Sequence, residues 1–142
     1  AWSLRFFLVF SDPGHTTPAS KATEPDSKVP AEILDREIRV AENAIYLAPQ
    51  NQSPWNFLRG VLRKGGRDLA TEESFAGEFV KIGEVEEEVK SSHALDFLAD
   101  VWAEKGEREK ADRALRLLGE KYDGVRKNYW EWRRAAVNGV KA

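Results

Sequence analysis

The chain has 142 residues, enough for one domain with a real core. Its 22 lysines and arginines against 24 acids leave a formal charge of -2, a balance that provides no electrostatic footprint for nucleic acid or an acidic membrane. Cysteine is absent, which excludes disulfides, thiolate zinc sites and cysteine nucleophiles; methionine is absent too, which we read as the mark of an internal or trimmed piece.

The first ten residues, Ala1 to Phe10, read as a buried helix whose preceding partner is missing. The run is too short to span a bilayer, and no small-residue cleavage site follows it. Residues 11 to 29 change character, with proline, serine, threonine and charge replacing apolar residues. Such a composition cannot bury enough surface to offset its ordering entropy. We therefore read 11-29 as a flexible insertion between two helices, offering no core and dispensable for assembly. From Pro30 onward, Ile33, Leu34, Ile38, Ala41, Ala44, Ile45 and Leu47 or Ala48 form an apolar stripe at helical spacing, and Pro49 ends that helix. The next helix starts with Ser53 as N-cap and Pro54 at the first helical position. It carries Trp55, Leu58, Val61 and Leu62 on one face. Gly65 and Gly66 supply its left-handed C-cap.

Thr71 is the expected N-cap of a further helix, with Glu72 and Glu73 suiting its positive end. Phe75, Phe79, Val80 and Ile82 continue the helical pattern; Gly83 and the acidic run to Glu88 weaken it and read as a solvated face. Ser92 caps the next helix, which uses Leu95, Phe97, Leu98, Val101 and Trp102 and ends at Gly106. A helix from about Glu107 to Tyr122 uses Ala111, Ala114, Leu115 and Leu118. Asp123 then caps a last helix carrying Val125, Tyr129, Trp130, Trp132 and Val137. No segment alternates convincingly as a strand. The pattern predicts an all-α fold, an α-α superhelix of antiparallel helical hairpins.

Nothing in the chain assembles a catalytic constellation. It has no glycine-rich phosphate loop, no paired histidines and no nucleophile elbow. His15 in the linker and His93 near a helix start read as solvent-exposed. Carboxylate pairs fall on polar helix faces. Arg126, Lys127, Arg133 and Arg134 read as ordinary surface charge towards a helix C-terminus. Of the tryptophans, Trp55 and Trp130 are predicted buried, and Trp132 is assigned to neither core nor surface. Trp2 and Trp55 each sit early in an apolar helix, as the bulky knob a helical repeat needs. Two such copies do not separate this architecture from tetratricopeptide-type repeats that bind peptides and catalyse nothing. Read from its residues alone, the chain is a helical repeat domain lacking its own active site.

Three segments carry the argument further. Leu34-Asp35-Arg36-Glu37-Ile38 followed by Pro49-x-Asn51-x-Ser53-x-Trp55-Asn56-Phe57-Leu58-Arg59-Gly60 resembles the late repeats of the α subunit shared by protein farnesyltransferase and type I protein geranylgeranyltransferase. The opening Trp2-x-x-Arg5-Phe6-Phe7 resembles the tryptophan-arginine core of the repeat before it. Asp123-Gly124-Val125-Arg126-Lys127-Asn128-Tyr129-Trp130 resembles that subunit's final helix. Leu58 stands where the repeat usually has arginine, with Arg59 alongside. The insertion is longer than the family norm, a feature expected of a fungal-type sequence. The resemblance implies that residues 1-142 form the C-terminal part of an α subunit that wraps a β subunit. In that heterodimer a farnesyl or geranylgeranyl group passes from its diphosphate to a C-terminal CaaX cysteine of a target protein, in the cytoplasm. It also implies that Trp2, Arg5, Asn51, Trp55 and Arg59 are repeat-motif residues or β-subunit contacts. The family's catalytic lysine and tyrosine have no match here. Its zinc, and any magnesium, belong to the β-containing complex, so no cofactor or catalytic residue is assigned to this chain.

Overall fold

The computed structural model describes residues 1–139. They form two units, Ala1–Asp68 and the part from Leu69 onward.

The first unit contains α1 (Trp2–Phe10), α2 (Ala31–Leu47) and α3 (Gln52–Lys64). On α2 the buried residues are Leu34, Glu37, Ile38, Ala41 and Ile45, one stripe at helical spacing. Leu47, placed on that stripe by the periodicity, is 89% exposed. Helix α3 is capped by Asn51 rather than Ser53: the Asn51 side chain accepts from the Ser53 amide at 3.1 Å. Pro54 thus occupies the third helical position, where no intrahelical donor is needed. Trp55, Phe57, Leu58, Val61 and Leu62 are buried on this helix. At its end Gly66 takes φ +65, and the Arg67 amide donates back to Leu62 at 2.9 Å. Gly65 is needed for a different reason, since a Cβ there would sit 2.5 Å from Leu34.

Residues 11 to 29 form turns, yet they do contribute buried groups, against the expectation from their composition. Thr16, Asp26 and Val29 are all buried. The Asp26 carboxylate accepts from the Thr17 amide (2.7 Å) and hydroxyl (2.9 Å), the Ser20 hydroxyl (3.1 Å) and the Lys28 amide (3.0 Å). The Thr17 amide, against the opposing effect of burial, holds this carboxyl well below the usual range, with Lys28 and the hydroxyls assisting. The segment also docks on α3. The Asp26 amide donates to the Lys64 carbonyl at 2.9 Å, and the buried Lys64 Nζ donates to Ser20 Oγ and the Lys21 carbonyl. Polar residues can order a loop when each finds a partner, which composition alone does not reveal.

The second unit begins with a 3₁₀ turn, Leu69–Glu72, that contains Thr71 instead of using it as a cap. Then come α4 (Glu73–Gly77), β1 (Val80–Ile82), β2 (Glu87–Val89), α5 (Ser92–Glu104) and α6 (Arg108–Leu117). A π-helical turn (Leu118–Tyr122), a 3₁₀ turn (Gly124–Arg126) and α7 (Lys127–Val137) complete it. The antiparallel β1–β2 hairpin, in register Val80 with Val89 and Ile82 with Glu87, replaces the predicted helical continuation. Helix α5 is capped by Ser91, whose hydroxyl accepts from the Ala94 amide at 3.1 Å, not by Ser92. Gly106 ends it with φ +79, while Glu107 donates back to Trp102 at 2.8 Å. Asp123 makes no side-chain cap; its carboxylate instead accepts from Arg126 and from the Trp130 indole. Leu95, Ala99, Ala114, Leu115, Leu118 and Trp130 form the core of this unit. Val125 is 99% exposed and lies outside that core, before α7. The hairpin aside, the fold class is all-α, built from helical hairpins.

Candidate functional site

The residues singled out in the sequence divide into two structural groups. Arg5 on α1 reaches Glu37 on α2 through two hydrogen bonds, Nε at 2.8 Å and Nη2 at 2.7 Å. Glu37 is fully buried, and Arg36 Nε donates to it at 3.0 Å. Burial pushes the Glu37 carboxyl up, but the hydrogen bonds from Arg5 and Arg36 outweigh it and hold the group below the ordinary glutamate range. Beside this ion cluster, Trp2 packs against Phe57 of α3 with ring centroids 4.9 Å apart, and Phe6 meets Phe57 edge-on at 6.2 Å. Trp2, Phe6 and Phe57 line a cleft of about 380 Å³ with Ser53, Asn56 and Arg63 among its polar neighbours. Gly60 completes the close fit of α1 on α3, since a Cβ there would meet the Phe6 ring at 3.1 Å.

Asn51 and Trp55 act at the start of α3. Asn51 caps the helix, and the Trp55 indole donates to the Pro49 carbonyl at 3.0 Å from a buried position. The motif is thus a local brace: proline ends one helix, its carbonyl anchors the tryptophan, and asparagine starts the next. Arg59 is half-buried on the same helix.

Sequence reasoning missed Glu37, although it lies three residues after Leu34 and four before Ala41 on the apolar stripe. A lone acid on a buried face is the signal that a cation from elsewhere must meet it. It also missed the arginines of α7. Arg133 is not loose surface charge: it donates to Asp96 and, at 2.6 Å, to Asp100, both on α5. Its guanidinium lies 5.2 Å from the Trp130 ring centroid. Arg134 Nε bonds Asp112 of α6 at 2.9 Å, and Asn138 joins the same carboxylate. Trp55 and Trp130 are buried as predicted, and Trp132 is 57% exposed. His15 is half-buried, its ring bonded to the Val9 carbonyl, and not the exposed side chain expected.

Zinc does not fit the residues present. The chain has no cysteine, and no three histidine, aspartate or glutamate side chains converge among the described residues. No described helix is long and apolar enough to cross a membrane. What the arrangement offers is packing and recognition: helices locked by buried ion pairs and aromatic contacts.

No family model matches the chain. It is 31% identical over 107 residues to the protein farnesyltransferase/geranylgeranyltransferase type-1 subunit alpha of Candida albicans, covering 75% of this chain and 34% of that protein. The subunit of the same name from Dictyostelium discoideum is 26% identical over 140 residues, covering 93% of this chain and 37% of that one. The fold matches a solved structure of Candida albicans protein geranylgeranyltransferase-I complexed with GGPP, with a TM-score of 0.80 and 29% identity, over 96% of this chain and 40% of that one. The chain therefore spans about a third of the length of the curated relatives it matches. In sequence and in fold, the chain is a relative of the α subunits of protein farnesyltransferase/geranylgeranyltransferase type-1.

Proposed function

We propose that the chain is the C-terminal part of the α subunit of a heterodimeric protein prenyltransferase. The assembled enzyme transfers a farnesyl or geranylgeranyl group from its diphosphate to the cysteine of a C-terminal CaaX sequence, in the cytoplasm. The observation that carries this reading is the joint match, in sequence and fold, to the type-1 α subunit and to a geranylgeranyltransferase-I structure. In this reading the chain holds helical hairpins against the β subunit, and Trp2, Arg5, Asn51, Trp55 and Arg59 keep the repeats rigid. The β subunit supplies zinc, which activates the acceptor thiolate, and the lipid pocket.

Co-expression with the β subunit of the same organism tests the proposal. The full α chain should co-purify with β and transfer a prenyl group to a CaaX peptide, whereas residues 1–142 alone should show no turnover. Failure of the full chain to bind β would overturn it and favour a peptide-binding scaffold; turnover by residues 1–142 alone would refute the division of labour.

A further inference from the structure

A serine or threonine precedes proline at Thr17-Pro18 and at Ser53-Pro54, the pairing that a proline-directed protein kinase reads. The structure treats the two pairs differently. Ser53 and Pro54 lie within helix α3, and Pro54 is buried. Thr17 and Pro18 are exposed and belong to the turns between α1 and α2. Modifying enzymes reach segments that open locally, which surface turns do far more readily than a packed helix. Ala19 holds φ +66, a left-handed backbone that is costly for alanine, so opening this turn also relieves strain.

Thr17 is also the place where a new charge acts most directly on the segment. Its hydroxyl donates to Asp26 Oδ1 at 2.9 Å and its amide to Asp26 Oδ2 at 2.7 Å. Ser20 Oγ donates to the same carboxylate at 3.1 Å and accepts from the buried Lys64 Nζ at 2.9 Å, so the bonds around Asp26 run straight to the contact with α3. A phosphate on Thr17 removes the hydroxyl donor and sets about −1.5 to −2 charge against this buried carboxylate. We infer that Thr17 accepts phosphate from a proline-directed protein kinase, and that the phosphate releases residues 11–29 from α3. The threonine oxygen bonds the γ-phosphorus of ATP, the bond from that phosphorus to ADP breaks, and the hydroxyl proton passes to the kinase's catalytic base. Release also withdraws Ala22 and Thr23 from the wall of the cleft at Trp2 and Phe57. The inference does not depend on the prenyltransferase reading.

Incubation of the full chain with a mitogen-activated protein kinase and ATP, followed by peptide mass spectrometry, tests the site. Thr17 should take up phosphate while Ser53 stays unmodified, and Pro18→Ala should abolish the uptake. Hydrogen exchange reads the release. The Asp26 amide, bonded to the Lys64 carbonyl, and the Lys28 amide, bonded to Asp26, should exchange faster by orders of magnitude in the phosphorylated chain, while the α2 amides stay protected. Thr17→Glu should accelerate the same two amides, whereas Thr17→Val, which deletes the hydroxyl without adding charge, should stay near wild type. No phosphate on Thr17, equal uptake at Ser53, or undiminished uptake in Pro18→Ala would overturn the site. Unchanged exchange after phosphorylation, or equal acceleration in Thr17→Val and Thr17→Glu, would overturn release by charge. The kinase arm uses the unaltered chain, so it stands even if a substitution impairs folding.

Discussion

Trp55 is 2% exposed, and its indole N–H donates to the Pro49 carbonyl at 3.0 Å. Truncation therefore removes apolar burial and leaves a cavity, and it also frees an acceptor. Trp55→Ala should destabilise by about 3–5 kcal/mol in urea melts, and a change within the ordinary surface range of about 0.5 kcal/mol would show the side chain is not part of the core. The Arg5–Glu37 pair makes a pH-dependent prediction. Glu37 titrates below its unfolded value, so its stabilising contribution is complete above the ordinary glutamate range, about 4.3, and fades as pH falls through the lower folded value. Arg5→Ala should cost about 1–3 kcal/mol near neutral pH, because it leaves a buried carboxylate with Arg36 alone. The gap between wild type and variant should narrow in melts taken at progressively lower pH. A gap that stays constant to below the carboxylate range would assign the effect to packing of the arginine stem instead.

Among the elements, the turn segment 11–29 departs furthest from the expectation set by composition. Asp26 gathers Thr17, Ser20 and Lys28 around one carboxylate, and Lys64 ties the segment to α3. Asp26→Ala should release these turns together. Hydrogen exchange at the Thr17 and Lys28 amides should accelerate by orders of magnitude, while α2 amides stay protected. Unchanged exchange at both loop amides would mean that Asp26 does not organise the segment. The apolar stripes of α2, α3, α5 and α6 were legible because 3.6-residue spacing is a strong signal over long helices. The caps were legible only to within a residue or two. Ser91 and Ser92 are chemically equal candidates, as are Asn51 and Ser53, and backbone geometry chooses between them. The β1–β2 hairpin escaped notice because each strand has three residues and the second starts with two glutamates, too short and too acidic to show alternation. Of the candidate site, the early tryptophans could be read from the repeat pattern, and Arg5 only from the family resemblance. Glu37 left a trace as the lone acid on the apolar stripe of α2, but its pairing with Arg5 did not, and Asp96 and Asp100 left none, because each gains its role from a cation distant in sequence.

At the scale of the whole molecule, α1 presents Leu4, Phe7 and Leu8, each 60–62% exposed, at the i, i+3, i+4 spacing of one helix face. The opposite face is engaged, with Phe10 buried, Trp2 and Phe6 packed on Phe57, and Arg5 held by Glu37. An exposed stripe of three large apolar side chains on a helix otherwise fixed in place is a surface suited to cover by another hydrophobic element. Residues 1–142 alone should therefore self-associate in size-exclusion chromatography with light scattering at micromolar concentrations. The triple variant Leu4→Lys, Phe7→Glu, Leu8→Lys should run as a monomer with an unchanged helical circular dichroism spectrum, since none of the three contributes to the core. Co-expression of the full α chain with the β subunit should likewise give a single species of defined mass. A clean, cooperative monomer of the wild-type segment would show that α1 tolerates water on this face, and would count against the heterodimer reading in favour of a self-sufficient scaffold.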